Sequence, residues 1–161
     1  MAQLRIGILT CSDSRSRGDA ADTAGGALRE LCEEQGWQVA VGDICADDRK
    51  QIAAALVRMA DIEGADVILT TGGTGLGPRD VTPEATLDVA DRVVPGIDEH
   101  IRIASMAVTK RAMLSRGTAA QRGTTLIVNL PGSEKAVRES FSFVAGQFEH
   151  AVEMMHGGGH G

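Results

Sequence analysis

The stretch VILTTGGTGLGPRDVTPEA, residues 67–85, limits what this chain can fold into more than any other. It opens on Val67, Ile68 and Leu69, a short apolar run of the kind that fills a central parallel strand. It then breaks into Gly72, Gly73, Gly75 and Gly77, turns at Pro78 and restarts at Thr82 and Pro83. Thr82 is expected to cap the new helix. Pro83 suits its first position, because the N–H it lacks would have no intrahelical partner there. Residues without Cβ let backbone N–H groups converge on an anion, and the helix N-terminus behind them adds a favourable dipole. Strand, glycine loop and helix in this order, at the carboxyl edge of a sheet, form a phosphate-binding arrangement of α/β proteins.

Two common versions of that arrangement are excluded by the residues. A P-loop needs Gly-Lys-Ser/Thr after the glycines, and this chain has Gly77-Pro78-Arg79. The dinucleotide fingerprint needs glycine where Pro78 stands. What is left is an anion loop followed by Arg79 and Asp80, a cation beside a carboxylate, which suits a phosphate with its magnesium ion. A tight turn closed by Asp80 is the plainer alternative.

The rest of the chain alternates strands and helices around this loop. Residues 4–10 read as a first strand, followed by a polar loop over residues 12–22 with Arg15 and Arg17. Ala24, Leu28, Leu31 and Cys32 repeat at helical spacing up to Gly36, and residues 38–44 form a second strand. Asp47 and Asp48 precede a helix with Ile52, Ala55, Leu56 and Met59 on one face, and Asp48 with Gln51 has capping-box spacing. If the second and third strands are parallel, Asp47 and Asp48 share a crevice with Thr70 to Asp80. Two sources of carboxylate around a phosphate loop suit Mg²⁺, which prefers oxygen ligands and substrate phosphates. Further on, Ala85, Val89 and Val93 mark a short helix, and Ile97, Ile101, Ala104 and Val108 another. Residues 112–114 and 124–129 are expected as strands. Ser133 caps a last helix with a stripe of Val137, Phe141, Val144, Phe148, Val152 and Met155. The expected fold is therefore α/β, a three-layer α/β/α sandwich with a mostly parallel central sheet: one domain over residues 1–155, then a flexible Gly/His tail over 156–161.

Charge and cysteines narrow the partners. A net charge of −6 makes nucleic acid a poor partner, so any polyanion must be drawn by cations gathered locally. At least Arg79 or Arg116 is expected within contact range of the loop from Gly72 to Gly75. Cys11, Cys32 and Cys45 show neither paired spacing nor an even count, as in a protein of the reducing cytoplasm, and all three read as core packing. Residues 6–9 are too short an apolar run for a signal peptide, and no segment approaches a membrane span.

TTGGTGLGPRDVTPEAT, residues 70–86, resembles the signature of the molybdenum-cofactor nucleotide-transfer proteins: molybdopterin adenylyltransferases of the Mog type, their MoaB relatives and the G domains of gephyrin-like proteins. Ser12-Asp13, Asp47-Asp48, Met113-Leu114-Ser115-Arg116 and Asn129-Leu130-Pro131-Gly132 are similar to that family in the same order, so the resemblance covers nearly the whole chain. It implies adenylylation of molybdopterin by Mg·ATP with release of pyrophosphate. Asp47, Asp48 and Asp80 would then be catalytic, with Asp47 and Asp80 on the metal. Thr71, Gly72, Gly73, Thr74 and Gly75 would take the nucleotide phosphates, and Pro131 and Gly132 would close the pocket near the adenosine. Ser12, Asp13, Arg79, Ser115 and Arg116 would touch molybdopterin. The resemblance also implies a homotrimer or hexamer and contact with the molybdenum-insertion protein of the same pathway. A non-catalytic molybdopterin-binding or scaffold protein is the alternative, and a domain hydrolysing a nucleotide pyrophosphate is a second.

Overall fold

Near-continuous apolar runs along the central strands of a mostly parallel sheet organise the molecule, which is seen in a computed structural model describing residues 3–158. The strands are β1 (Arg5–Cys11), β2 (Gln38–Cys45), β3 (Val67–Thr71), β4 (Arg92–Val93), β5 (Ala119–Arg122) and β6 (Thr125–Leu130). They form one sheet in the order β2-β1-β3-β6-β5-β4. The first four in that order are parallel, whereas β5 and β4 are antiparallel additions at one edge. The helices are α1 (Asp13–Ser16), α2 (Thr23–Glu34), α3 (Arg49–Val57), α4 (Thr82–Val89), α5 (Pro95–Met106), α6 (Glu134–Val144) and α7 (Phe148–Met155).

Successive side chains of a strand point to opposite faces, and the core divides accordingly. Val67, Leu69, Leu126 and Val128 pack with Leu28, Val137, Phe141 and Phe148 from α2, α6 and α7. Ile68, Ile127 and Leu9 pack with Ile52, Leu56, Ala85 and Val89 from α3 and α4. Both faces of the sheet are covered, so β3 and β6 are buried at every position. The expected three-layer sandwich is the observed fold.

Several elements differ from the sequence reading. Thr82 does not cap α4. It is the first helical residue, the N-cap position belongs to Val81, and no side chain accepts there. Val93 leaves the helical pattern because its segment pairs with β5, with Val93 opposite Ala120. Residues 112–114 belong to a 3₁₀ turn, Lys110–Leu114, because the hairpin partner of β6 lies further on in Ala119–Arg122. The last helical stripe is interrupted by the turn Ala145–Gln147, after which Phe148 and Val152 return to the core. Ser133 does cap α6, accepting from the Ala136 N–H at 3.2 Å. Of the expected tail, His156 to Gly158 cap α7 through bonds to carbonyls of residues 152–154, and residues 159–161 lie outside the described residues. Among the described residues no helix is long and apolar enough to cross a membrane.

Candidate functional site

In an open parallel sheet a crevice forms where neighbouring strands send their connections in opposite directions. Here that place is β1 beside β3: the chain leaves β1 for β2 on one side and leaves β3 towards β6 on the other. The carboxyl ends of β1, β2, β3 and β6 deliver Ser12-Asp13, Asp47, the glycine loop and Pro131-Gly132 to the same edge.

Close packing shapes the loop. Gly72 has φ +96°, and a Cβ there would collide with the Cys11 carbonyl oxygen. Its N–H donates to the Leu130 carbonyl at 3.2 Å, and a Cβ on Gly132 would stand 3.4 Å from its Cα. Only glycine lets β1, β3 and the Pro131-Gly132 turn approach this closely. Thr71, fully buried, donates its hydroxyl to the Pro131 carbonyl at 2.6 Å, so that hydroxyl fixes the turn. Thr74 and Gly75 offer carbonyls to Arg116: the Arg116 N–H donates to Thr74 at 2.8 Å and its Nε to Gly75 at 2.7 Å. The same guanidinium donates to the Asp80 carbonyl at 2.7 Å and to Glu84 Oε2 at 2.6 Å. Arg116 is thus the arginine on the loop, and it acts as a brace whose charge Glu84 already balances. Glu84 stayed unnoticed in the sequence because a carboxylate in the first turn of a helix is ordinary.

The carboxylates form a second group. Asp48 is the N-cap of α3, accepting from the Gln51 N–H at 2.9 Å. Asp47 turns the other way and pairs with Asp13 through two backbone bonds: the Asp13 N–H donates to Asp47 Oδ2 and the Asp47 N–H to Asp13 Oδ1, each at 3.0 Å. Arg79 grips Asp13 with Nε and a terminal nitrogen, both at 3.0 Å. That grip, with the Asp47 N–H, holds the Asp13 carboxyl below its usual range. Burial pushes the Asp47 carboxyl up and the charges of Asp13 and Asp80 push it further, against the Asp13 N–H and Arg79. Asp80 Oδ2 accepts from the Gly77 N–H at 2.9 Å, so Asp80 closes a turn at the far end of the loop. Ser12 caps α1, accepting from the Arg15 N–H at 3.2 Å, and a terminal nitrogen of Arg15 donates to the Gly132 carbonyl at 3.3 Å.

Behind the loop lies a mostly apolar cavity of about 310 Å³, walled by Thr74, Gly75, Ser115 and Pro131 on one side and by Ile101 and Leu114 on the other. Arg102 lines it too, donating to the Ser115 carbonyl at 3.4 Å and the Gly117 carbonyl at 2.9 Å. Sequence reading missed this wall, since residues of α5 meet the loop only after the chain crosses the sheet. A larger open groove of about 520 Å³ beside β2 lies away from the loop, and its Asp22 is already the cap of α2.

Metal donors are sparse. Among the described residues no three carboxylate, thiol or imidazole side chains converge. Asp47 Oδ1, however, is buried with no partner. One or two carboxylates beside a phosphate loop fit a hard cation that takes its other ligands from water and phosphate.

Comparison with known proteins gives concordant results. The sequence profile described as a probable molybdopterin binding domain matches residues 7–150. The chain is 37% identical over 159 residues to a molybdopterin adenylyltransferase of Helicobacter pylori, covering 98% of this chain and 90% of that protein. It is 43% identical over 157 residues to the molybdenum cofactor synthesis protein cinnamon of Drosophila melanogaster, covering 96% of this chain but only 26% of that longer protein. Its fold superposes on the molybdopterin biosynthesis enzyme MoaB of Thermus thermophilus with a TM-score of 0.90 at 46% identity, covering 96% and 98% of the two chains.

Proposed function

The chain belongs to the probable molybdopterin binding domain family of molybdenum cofactor biosynthesis, and on that premise we propose that it is a nucleotidyltransferase adenylylating molybdopterin with Mg·ATP. A phosphate oxygen of molybdopterin attacks the α-phosphorus of ATP; a new P–O bond forms, the bond to the bridging oxygen breaks, and pyrophosphate leaves. Bringing two phosphates together concentrates negative charge, so catalysis is mainly positioning and neutralisation.

One observation carries the reading: the half-buried carboxylate of Asp47, with an unbonded oxygen, stands beside Gly73 where four parallel strands end. Gly72 to Gly75 receive the nucleotide phosphates, with Arg116 keeping the loop in shape. The adjoining 310 Å³ cavity takes an organic ring of the substrates between Pro131 and the apolar side of α5. Asp47 and Asp80 would hold Mg²⁺, which when bound supplies neutralisation of the phosphate charge. Arg79, tied to Asp13, keeps the loop after β1 against Asp47 and so sets that carboxylate's direction. The proposed assembly is the homotrimer that the family resemblance implies; large apolar side chains left exposed, among them Ile62 at 77% and Ile103 at 71%, support association of copies.

The test is pyrophosphate release from purified protein with ATP, Mg²⁺ and molybdopterin. Release that needs all three is expected. Molybdopterin binding without release would make the chain a binding or scaffold protein. Release without molybdopterin would make it a pyrophosphate hydrolase.

A further inference from the structure

Among the described residues, two buried side-chain oxygens lack a hydrogen-bond partner: Asp47 Oδ1 and Thr82 Oγ1. They converge on one spot. Thr82 opens α4 directly beneath the loop, its N–H donating to the Gly73 carbonyl at 3.2 Å and its side chain fully buried. Gly73 has φ +69°, and a Cβ there would collide with the Thr82 hydroxyl oxygen and stand 3.3 Å from Asp47 Oδ1. Both unpartnered atoms therefore flank a single glycine Cα in the phosphate loop. The Thr82 hydroxyl also neighbours the Cys11 thiol without reaching hydrogen-bond geometry; Cys45 and burial push that thiol's pKa up, and the hydroxyl acts against them.

Chemistry makes the coincidence meaningful. An ionised carboxylate oxygen can only accept, and a threonine hydroxyl can donate. A buried hydroxyl left unbonded is unfavourable, and native structures keep few such groups. Valine has nearly the same shape and would fill this place without that cost. A residue whose only task was to pack here would gain nothing from the hydroxyl.

We propose that Thr82 is a positioning residue for Asp47, its hydroxyl donating to Asp47 Oδ1, directly or through one water, once nucleotide occupies the glycine loop. This deepens the nucleotidyltransferase reading and rests on it. Asp47 Oδ2 is already held by the Asp13 N–H at 3.0 Å. A second bond to Oδ1 removes the carboxylate's remaining freedom to rotate, leaving its charge aimed at the reacting phosphate before the step begins. The bond is absent from the free protein, so it contributes to turnover and not to folding.

Thr82→Val and Thr82→Ser separate these roles. In the full-length protein, Thr82→Val is expected to keep or raise the melting temperature, because it removes an unbonded buried hydroxyl. It should lower kcat about 10–100-fold, the usual loss when a supporting partner of a site carboxylate is removed, with KM for ATP little changed. Thr82→Ser should recover most of kcat. In an Asp47→Asn background, Thr82→Val should have no further effect on kcat, since the hydroxyl acts through that carboxylate. A readout free of turnover is the proton signal of the Thr82 hydroxyl in NMR, expected to slow in exchange on adding ATP and to be missing in Thr82→Val. A Thr82→Val protein with wild-type kcat overturns the proposal. So does one with a clearly lower melting temperature, which would mean that the hydroxyl is bonded in the free protein, to Cys11 for example. If the wild-type protein releases no pyrophosphate, the functional reading fails by itself, and the hydroxyl signal with ATP still decides whether Thr82 gains its bond.

Discussion

At the scale of single residues, neighbouring aspartates at the end of β2 do different work. Asp48 ties down the first turn of α3, so Asp48→Ala should lower stability by about 1 kcal/mol and leave turnover at low temperature nearly intact. Asp47 is held in a setting that disfavours its charge. Asp47→Asn should therefore keep or raise the melting temperature near neutral pH while reducing turnover on the order of 10²–10³-fold, as for loss of a group that stabilises reaction charge. Melting curves and rates on the same two preparations check both outcomes. Capping-box spacing made Asp48 legible from the sequence. Asp47 became distinct only through its reciprocal bonds with Asp13, 34 positions away.

At the scale of elements, the loop after β3 depends on a residue from beyond α5. Arg116 binds the carbonyls of Gly75 and Asp80 and the carboxylate of Glu84 through a planar fork that lysine cannot reproduce. Arg116→Lys should cost roughly 1–3 kcal/mol by leaving partly buried acceptors unpaired. It should also raise KM for ATP, and steady-state kinetics with urea unfolding would show both. Helix α5 carries a second device. Asp98 in its first turn is buried, and burial pushes its carboxyl up to about 7, against the Arg102 charge and the Ala119 N–H. Its folded pKa lies above the unfolded one, so the native state holds the proton more tightly. The stabilisation is complete below about pH 4 and is lost as pH rises through 7, by up to about 4 kcal/mol. Asp98→Asn should flatten that part of the stability–pH curve, raising the melting temperature at pH 8 but not at pH 4. Urea unfolding of both proteins across this range measures it.

At the scale of the whole molecule, the proposed trimer predicts a particle of about 50 kDa, three times the 16.8 kDa chain, in sedimentation equilibrium; a particle of 16.8 kDa would remove it. Isolated in sequence, the apolar runs of β1, β3 and β6, the glycine loop, the cap at Ser133 and the alternation of strand and helix already determined an α/β sandwich with a glycine loop at its edge. Those signals are local: side-chain period, the absence of Cβ, and a short polar residue before a helix are properties of a few consecutive residues. The sequence misassigned Val93, residues 112–114 and the cap at Thr82, because pairing of β4 with β5 and the descent of the glycine loop onto α4 overrode local preference. Only the tertiary structure decided that Arg79 serves Asp13 and Arg116 serves the loop, that Asp47 leans towards Gly73 while Asp48 caps, and that the Thr82 hydroxyl lies unbonded beside them. Each of these depends on which chain segments meet across the sheet, and a contact between residues tens of positions apart leaves no periodic trace in a single sequence.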